Sequence, residues 1–345
     1  MKFGLFGGAL GQSAGSGDSQ YYTDFIDYVC EADALGFHSV YIVEHHFTGL
    51  NQISSTLSFL CFLAARTQRI RLGTGVTVLP WHNPVLVAEQ IATLDLLSNG
   101  RAEVGVGKGY RPYEFTGFAI PPDEAQERYD EALEIMLRGW RSKERFSHKG
   151  KHWTFNDILV EPEVIQKPHP AIWVGVGSET SIEKAAARDF NILLDQWSPV
   201  ETLARRVGHY LKALAPSARK SADRIGVTRA VQMTSTVEEQ HALLNKRAQF
   251  VIDSKALTSA SARQTFCLEA EVTDATDLEV LARRIAFDSS VVGNADEIID
   301  RLKQLEAAGV EYVLLAELSN SREALRAFAR EVMPTFQTAE TSIAA

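Results

Sequence analysis

The sequence predicts an α/β fold, a closed (β/α)8 barrel that carries insertions. Short apolar and β-branched runs alternate with amphipathic stretches from one end of the 345-residue chain to the other, and this alternation is typical of parallel strands joined by crossover helices. About eight strand candidates occur, a number that suits a closed barrel better than an open sheet. They span residues 2–7, 39–44, 70–79, 102–107, 171–177, 191–197, 225–234 and 311–318.

Helices are predicted between these strands, and the helix before the last strand is clearly marked. Asn294 can cap it together with Glu297 three residues on, and Gly309 supplies the left-handed residue that ends it. Its apolar face is formed by Ile298, Leu302 and Leu305. We therefore expect a helix over about 295–308, followed directly by a strand.

We expect one domain over residues 1–335 and a flexible tail over 336–345. Two regions interrupt the regular alternation, one near 110–165 and the other near 236–292. The first contains a helix over about 123–141 and a hairpin in the stretch FSHKGKHWTF. The second is long enough to form a lid or a binding loop beside the catalytic face of a barrel.

The composition argues against several classes of partner. The formal net charge is -9 and no basic stripe is present, which argues against nucleic acid and against an anionic membrane. No apolar run reaches the roughly 18 residues of a membrane span, and the first residues have the pattern of a strand rather than of a signal peptide. The three cysteines lack C-x-x-C spacing and are expected to be reduced, buried residues. We therefore expect a cytoplasmic protein.

The stretch IVEHHF, residues 42–47, places Glu44, His45 and His46 at the end of the second predicted strand, where such barrels hold their catalytic groups. Three interpretations are open. Adjacent side chains on a strand point to opposite faces, so the doublet is a poor chelate, although His82 could complete a metal site. The histidines could also be purely structural. We favour a working pair in which one histidine faces the pocket and the other orients it.

Glycines follow two further strands. The stretch GVGKG, residues 105–109, matches neither a dinucleotide fingerprint nor a P-loop, but backbone without Cβ atoms can approach a flat ligand closely, and Lys108 adds a positive charge. After the fifth strand, Ser178, Thr180 and Ser181 stand at the start of a helix. They can form a phosphate cradle or a plain N-cap, and both interpretations stay open.

The sixth predicted strand ends in the residues Asp195, Gln196 and Trp197. At that end of the barrel they are expected to contact a bound ring or substrate. Core packing is the alternative for Trp197.

Three stretches resemble the bacterial luciferase-like flavin-dependent monooxygenases. They are VYIVEHHF, RLGTGVTVLPWHNPVLVAEQIATLDLLSNGRAEVGVGKGYRPYEF and IWVGVGSETSIEKAAA, which occur in the order and at the spacing of that family. The likeness is continuous over about residues 1–198 and resumes over 291–315. The fold that the resemblance implies is a luciferase-like (β/α)8 TIM barrel.

The activity that the resemblance implies is that of an oxidoreductase, a monooxygenase that uses reduced FMN as a co-substrate together with O2. A C4a-hydroperoxyflavin would pass one oxygen atom to a small organic substrate, and a separate NAD(P)H:flavin reductase would supply the reduced flavin. The alternatives are a deazaflavin-dependent oxidoreductase of the same barrel superfamily, a metal-dependent hydrolase barrel and a flavin-binding paralogue without activity. The family usually forms dimers, so a homodimer is expected, with the apolar stretch 55–65 at its interface.

The resemblance also assigns residues by position. His45 matches the family's active-site histidine, and the Gly75–Val76 bond matches a non-proline cis peptide under the isoalloxazine ring. Lys108 stands where the luciferase has an arginine on the flavin phosphate. The expected cofactor-binding residues are Glu44, Thr74, Gly75, Val76, Gly107, Lys108, Tyr110, Gly177, Ser178, Ser181 and Trp197, and no metal ligand is expected.

Three positions depart from the pattern of the luciferase. Gly107 occupies the place of its reactive cysteine, so no thiol chemistry is expected there. Lys108 keeps the charge of the arginine but loses the bidentate fork of a guanidinium group. His82 lies one residue further from the proline than its counterpart, with Asn83 in its place.

Overall fold

The computed structural model describes residues 1–8, 18–48, 52–216, 223–256, 275–317 and 321–337. The fold class is α/β, with parallel strands and helices that alternate in the order of a (β/α)8 barrel, as the sequence predicted. The strands are β1 (Lys2–Gly7), β2 (Ser39–Ile42), β3 (Arg71–Thr74), β4 (Thr77–Val78), β5 (Ala102–Gly107), β6 (Phe146–Lys149), β7 (Thr154–Ile158), β8 (Ala171–Val176), β9 (Asn191–Leu194), β10 (Ile225–Met233), β11 (Ser290–Gly293) and β12 (Tyr312–Glu317). The helices are α1 (Asp18–Leu35), α2 (Thr56–Arg66), α3 (Pro84–Leu97), α4 (Pro112–Gly117), α5 (Ala125–Arg141), α6 (Glu179–Ala187), α7 (Val200–Ala213), α8 (Val237–Ala256), α9 (Ala275–Ser289), α10 (Ala295–Ala307) and α11 (Arg322–Glu331).

The contacts divide the chain into two compact units. The N-terminal unit consists of Gly7–Cys30 and Ser39–Val174. The C-terminal unit consists of Met1–Phe6, Glu31–His38 and Gly175–Ala345. The domain bounds expected from the sequence stay a prediction.

In the N-terminal unit, β2, β3, β5 and β8 follow one another as parallel neighbours, and β4 pairs with β5. Val40 lies opposite Leu72, Leu72 opposite Ala102, and Val104 opposite Ile172. All five side chains are buried. Strands that are apolar along their length are expected where both faces of a parallel sheet are covered.

In the C-terminal unit, β10 pairs in parallel with β9, β11 and β12, and β12 pairs with β1. Val227 lies opposite both Leu194 and Val313, and Val313 lies opposite Phe3. The nine residues of β10 make it long enough to carry its polar residues past the paired part of β9.

The capped helix predicted before the last strand is confirmed as α10. The Asn294 side chain accepts a hydrogen bond from the Glu297 backbone N–H at 3.1 Å, and the Glu297 carboxylate accepts one from the Asn294 backbone N–H at 2.9 Å. Gly309 has a φ of +85°, the left-handed conformation that glycine adopts without strain. The predicted apolar face is buried at Ile298, Leu302 and Leu305.

Three strands end or break earlier than predicted. Strand β2 stops at Ile42 and β9 stops at Leu194, and the third predicted strand is divided into β3 and β4 around the Gly75–Val76 peptide. After β9, the Asp195 side chain accepts from the backbone N–H groups two and three residues on, which turns the chain away from the sheet. The short strand β11 was not predicted, because four residues are too few to show a periodicity.

Both predicted interruptions contain helices. The first holds the expected helix, α5, and the expected antiparallel hairpin of β6 and β7, and it also holds α4, which was not predicted. The second holds α8 and α9 on either side of residues 257–274, which lie outside the described residues, as does most of the predicted tail, 338–345. Among the helices described, none has the length and apolarity needed to cross a membrane.

Candidate active site

Glu44 is a buried carboxylate two residues beyond β2, with 4% of its surface exposed. One oxygen, Oε1, accepts hydrogen bonds from Nε2 of His46 at 2.9 Å and from Nε2 of His82 at 2.6 Å, while Oε2 accepts from the Val78 backbone N–H at 3.1 Å. Both histidines therefore carry a proton on Nε2. Burial by itself would raise the pKa of the Glu44 carboxyl, but the hydrogen bonds and the charge of His82 bring it below its ordinary value.

His45 is held by a second buried carboxylate, Glu114 on α4, which is 2% exposed. His45 Nδ1 lies 3.1 Å from Glu114 Oε1, and the same oxygen accepts from the His46 backbone N–H at 3.0 Å. Because the carboxylate accepts, Nδ1 is the ring nitrogen of His45 that carries the proton. A neutral His45 is then left with a lone pair on Nε2, which can accept a proton or a hydrogen bond.

The electrostatic surroundings keep His45 neutral. Burial lowers the pKa of its imidazole below the ordinary value, and the nearby charge of Arg111 acts in the same direction. Glu114 and Glu44 act in the opposite direction and do not cancel this effect. At neutral pH the ring is therefore a proton acceptor rather than a fixed cation.

The His46 ring is fixed among aromatic side chains. It packs edge to face against Trp81 and Phe118, with ring centroids 5.5 and 4.7 Å away, and Trp81 itself stacks on Phe118 at 5.3 Å. This packing and the bond to Glu44 give His46 an orienting position. The side chains of the two adjacent histidines thus bond different carboxylates.

The segment between β3 and β4 lies against β5. The Gly75–Val76 peptide is cis, as the resemblance implied. The Thr74 hydroxyl donates to the Gly105 carbonyl at 2.7 Å. A Cβ atom on Gly105 would lie 1.9 Å from the Thr74 carbonyl oxygen, and one on Gly107 would lie 2.6 Å from a Val76 methyl. These glycines are therefore required by the packing of the chain itself, whether or not a ligand approaches them.

Lys108 and Tyr110 lie on the loop after β5, and both are exposed. The guanidinium group of Arg111 lies 5.7 Å from the centre of the Tyr110 ring and donates to the Tyr113 hydroxyl at 2.8 Å. Burial by itself would lower the pKa of Arg111, but the neighbouring Tyr110, Tyr113 and Glu114 raise it. This loop therefore carries two basic side chains, of which Arg111 acts electrostatically on His45 and Glu114.

Ser178 and Ser181 form a reciprocal cap at the start of α6 in the C-terminal unit. The Ser178 hydroxyl accepts from the Ser181 backbone N–H at 3.3 Å, and the Ser181 hydroxyl accepts from the Ser178 backbone N–H at 3.2 Å. The Gly177 N–H also donates to the Ser181 hydroxyl, at 3.3 Å. The N-cap interpretation is confirmed, whereas the phosphate interpretation stays a prediction.

Trp197 lies in the C-terminal unit and is 8% exposed. It belongs to an apolar cluster with side chains of α8 and α9, which include Val251 and Ala286. Its indole ring lies under the guanidinium group of Arg247, 4.3 Å from the ring centre. The packing alternative for Trp197 thus has direct support, and its contact with a flavin or a substrate stays a prediction.

The predicted residues are divided between the two units. The group in the N-terminal unit contains Glu44, His45, Thr74, Gly75, Val76, Gly107, Lys108 and Tyr110, and the group in the C-terminal unit contains Gly177, Ser178, Ser181 and Trp197. Glu114 and Arg111 were missed. Their only signal in the sequence is their position in the stretch GVGKGYRPYEF after the fourth predicted strand.

The N-terminal unit has features that fit a flavin. Thr77 Oγ1, Trp81 Nε1 and Arg111 Nε are buried polar atoms without a hydrogen-bond partner, and buried polar atoms normally have one. A planar, polar heterocycle could satisfy them. In the described part of the chain, no group of three or more His, Cys, Asp or Glu residues is arranged to hold a metal ion.

Sequence comparison places the chain among known proteins. The profile of the luciferase-like monooxygenase family matches residues 1–312. An uncharacterized protein, y4vJ of Sinorhizobium fredii, is 31% identical over 194 residues, 56% of this chain, and the match spans 55% of the relative's length. The oxygenase component of a flavin-dependent trigonelline monooxygenase from Acinetobacter baylyi is 27% identical, covering 97% of this chain and 96% of the relative. An FMNH2-dependent dimethylsulfone monooxygenase from Pseudomonas putida is 28% identical over 81% of this chain and 77% of its own.

Solved structures show the same fold. The monooxygenase RslO1 from Streptomyces bottropensis has a TM-score of 0.83 and 25% identity over 98% of this chain and 100% of its own. The oxygenating constituent of a 3,6-diketocamphane monooxygenase from Pseudomonas putida, in complex with FMN, has a TM-score of 0.75 at 20% identity over 97% of this chain and 98% of its own. An F420-dependent secondary alcohol dehydrogenase has a TM-score of 0.76 at 16% identity over 98% of this chain and 99% of its own. Because the family profile matches most of the length of the chain, the chain belongs to the luciferase-like monooxygenase family.

Proposed function

We propose that this protein is a flavin-dependent monooxygenase that uses reduced FMN and O2 to oxygenate a small organic substrate. The observation that carries the proposal is the neutral imidazole of His45, held by the buried Glu114 through Nδ1 with its Nε2 lone pair left over. Relatives whose names include FMNH2 or a flavin support the choice of cofactor. The term "oxygenase component" in one relative's name supports a separate NAD(P)H:flavin reductase as partner.

The chain's own residues have distinct tasks in this proposal. Bound reduced FMN supplies the two electrons with which one atom of O2 enters the substrate and the other becomes water. His45 Nε2 accepts or returns the proton that this chemistry moves, since a histidine kept neutral at pH 7 is suited to that exchange. Glu114 holds the tautomer and orientation of the His45 ring. Glu44 holds His46 and His82 in place.

The remaining predicted residues would bind the cofactor. Glu44, Thr74, Gly75, Val76 and Gly107 line the part of the N-terminal unit that we assign to the isoalloxazine ring, with Tyr110 on the loop beyond β5. We assign the flavin phosphate to Lys108, because its ammonium group is exposed and positively charged.

A second part of the proposal concerns the C-terminal unit. Gly177, Ser178 and Ser181 stand at the start of α6, where helical N–H groups favour an anion, so we also assign them to the phosphate. Trp197 is assigned to contact with the bound ring. The assignment of Ser178 is tested by the variant Ser178→Ala.

The test measures flavin binding and oxygen consumption separately. The protein is titrated with oxidised and with reduced FMN, and O2 uptake is then followed with an added flavin reductase and a panel of small organic substrates. We expect FMN to bind and at least one substrate to raise O2 consumption together with formation of an oxygenated product. Failure to bind either form of FMN would contradict the proposal.

The second candidate is a deazaflavin-dependent oxidoreductase that transfers hydride without O2. It is favoured by structural likeness to the F420-dependent secondary alcohol dehydrogenase and by 23% identity to an F420-dependent glucose-6-phosphate dehydrogenase from Amycolatopsis mediterranei, over 90% of this chain and 93% of its own. Oxidised F420 together with a secondary alcohol, and reduced FMN together with O2, are offered in turn. Oxidation of a secondary alcohol with F420 and no consumption of O2 would favour this candidate.

We also propose a homodimer that forms through α2 and α3. Phe62, Leu86 and Leu97 on these helices are 48, 55 and 61% exposed, and large apolar side chains exposed together are typical of association surfaces. Light scattering measures the mass, and a monomer at micromolar concentration would contradict the proposal. Cys30 and Cys61 are both reduced thiols, and we place the protein in the reducing cytoplasm.

A further inference from the structure

The loop after β9 in the C-terminal unit is surrounded by buried arginines. Arg229 on β10 is 1% exposed, and Arg247 on α8 is 3% exposed. A third arginine, Arg206 on α7, pairs with the Asp195 carboxylate. Buried guanidinium groups are costly unless an anion accompanies them.

The Asp195 carboxylate accepts hydrogen bonds from its own loop and from Arg206. Its Oδ1 accepts from the backbone N–H groups of Trp197 and Ser198 at 2.7 and 2.8 Å, and its Oδ2 accepts from the Ser198 hydroxyl at 2.8 Å and from Arg206. Arg229 donates to carbonyl oxygens only, those of Asp195, Ser198 and Thr228. Within the described residues, no carboxylate side chain is therefore bonded to Arg229.

The positive charge of Arg247 has fewer hydrogen-bond acceptors around it than that of Arg229. Its Nη2 donates to the amide oxygen of Gln196 at 2.8 Å, and its Nε is buried without a partner. Burial lowers the pKa of Arg247 to about 9, and the charge of Arg229 acts in the same direction. Arg229, in turn, has its pKa lowered by burial to about 10, which the charge of Asp195 opposes. In the part of the chain that the structure describes, neither guanidinium group thus has a carboxylate bonded to it.

The orientation of Arg247 suits a planar anion. Its guanidinium group lies 4.3 Å from the centre of the Trp197 ring and 5.2 Å from that of Phe250. Aromatic contacts of this kind hold the flat face of the guanidinium group and leave its N–H groups directed in its plane. A carboxylate in that plane can accept from Nε and Nη2 at once.

We propose that Arg247, with Arg229 behind it, binds a carboxylate group of the substrate, and that Trp197 packs against the planar apolar body which carries that group. The substrate class is then a small aromatic or other planar carboxylic acid. Calling this ligand the substrate rests on the proposed function, but the anion site itself stands on the buried arginines.

The first test uses benzoate and its neutral isostere benzamide as probes, with binding to the FMN-loaded protein measured by calorimetry. We expect benzoate to bind at least about 30-fold more tightly than benzamide, and Arg247→Met to remove that preference. Arg283→Met is the matched control, since Arg283 is an exposed arginine on α9. Equal affinities for the two probes, no benzoate binding, or full benzoate affinity in Arg247→Met would each overturn the proposal.

The second test supplies the missing anion from the chain. Gln196→Glu places a carboxylate oxygen where the amide oxygen now accepts from Arg247. We expect this variant to unfold at a higher temperature than the wild type without ligand, and to bind benzoate at least about 30-fold more weakly. An unchanged or lower unfolding temperature would show that the arginines are already compensated and would refute the anion site.

Both readouts are independent of turnover, so they separate this inference from the proposed function. Benzoate binding by a protein that takes up no flavin would refute the monooxygenase and leave the anion site. Substrate-dependent O2 consumption without benzoate binding would refute the anion site and leave the monooxygenase.

Discussion

Each unit contains a cluster of buried charged side chains, and the two clusters differ in their partners. In the N-terminal unit, the carboxylates of Glu44 and Glu114 are buried and every bond to them comes from a histidine or a backbone N–H. In the C-terminal unit, the guanidinium groups of Arg229 and Arg247 are buried and bond only to carbonyl and amide oxygens. In the first cluster both carboxylates have hydrogen-bond donors, whereas in the second no described carboxylate side chain bonds to Arg229 or Arg247.

This difference indicates that the first cluster positions side chains and that the second binds a ligand. A buried carboxylate holds the donors of its hydrogen bonds in fixed places, so Glu114 orients His45, and Glu44 orients His46 and His82. A buried guanidinium group without an anion is stabilised only when one arrives, so the C-terminal cluster is built to bind. Substitutions in the two clusters should therefore have different consequences.

The largest expected effect is on turnover, from His45→Ala. A positioned general acid or base contributes about 10²–10⁴-fold to a rate, so we expect kcat to fall by about that factor while FMN still binds. Stopped-flow kinetics and FMN titration measure the two quantities, with His241→Ala at an exposed position of α8 as the control. Full turnover in His45→Ala would remove His45 from the mechanism.

The next effect is on stability and compares the clusters directly. Glu44→Ala leaves the N–H donors of His46, His82 and Val78 without their acceptor. We expect it to lower the free energy of unfolding by about 3–5 kcal/mol. Arg247→Met removes a charge without an anion and should not lower it. Chemical denaturation measures both, and similar losses in the two variants would erase the difference between the clusters.

The pH dependence of stability follows from the lowered pKa values in the N-terminal cluster. The pKa of His45 is about 6.5 in the unfolded chain and lower in the folded protein. At a pH between these two values the unfolded chain binds more protons than the folded protein. Acidification through that range therefore destabilises the fold. The carboxyl of Glu44 adds stability above its ordinary pKa, and this is lost as the pH falls through the lowered native value. The free energy of unfolding should therefore fall from pH 7 to pH 5, and fall less steeply in His45→Gln. An identical slope in that variant would mean that His45 titrates alike in both states.

The smallest effect is expected from Ser178→Ala at the cap of α6. Loss of an N-cap hydroxyl costs about 1 kcal/mol, which thermal unfolding can detect. The affinity for FMN decides between cap and phosphate site: a Kd raised several-fold supports the phosphate assignment, and an unchanged Kd leaves Ser178 as a cap alone. Ser321→Ala, at the equivalent cap of α11, is the control for a purely structural loss.

The sequence by itself determined the fold class, the family and much of the local structure. Periodicity placed the strands, and the capping pattern of Asn294, Glu297 and Gly309 placed α10, because these features depend on residues a few positions apart. The motif around His45 and the Gly75–Val76 bond was recognised by its order along the chain. Only the tertiary structure decided the partners: Glu114 is 69 residues from His45, and Arg247 is 51 residues from Gln196. Contacts between segments so distant in sequence leave no periodic signal, and the burial that sets the charge state of His45 and the uncompensated charge of Arg247 exists only once those segments are packed.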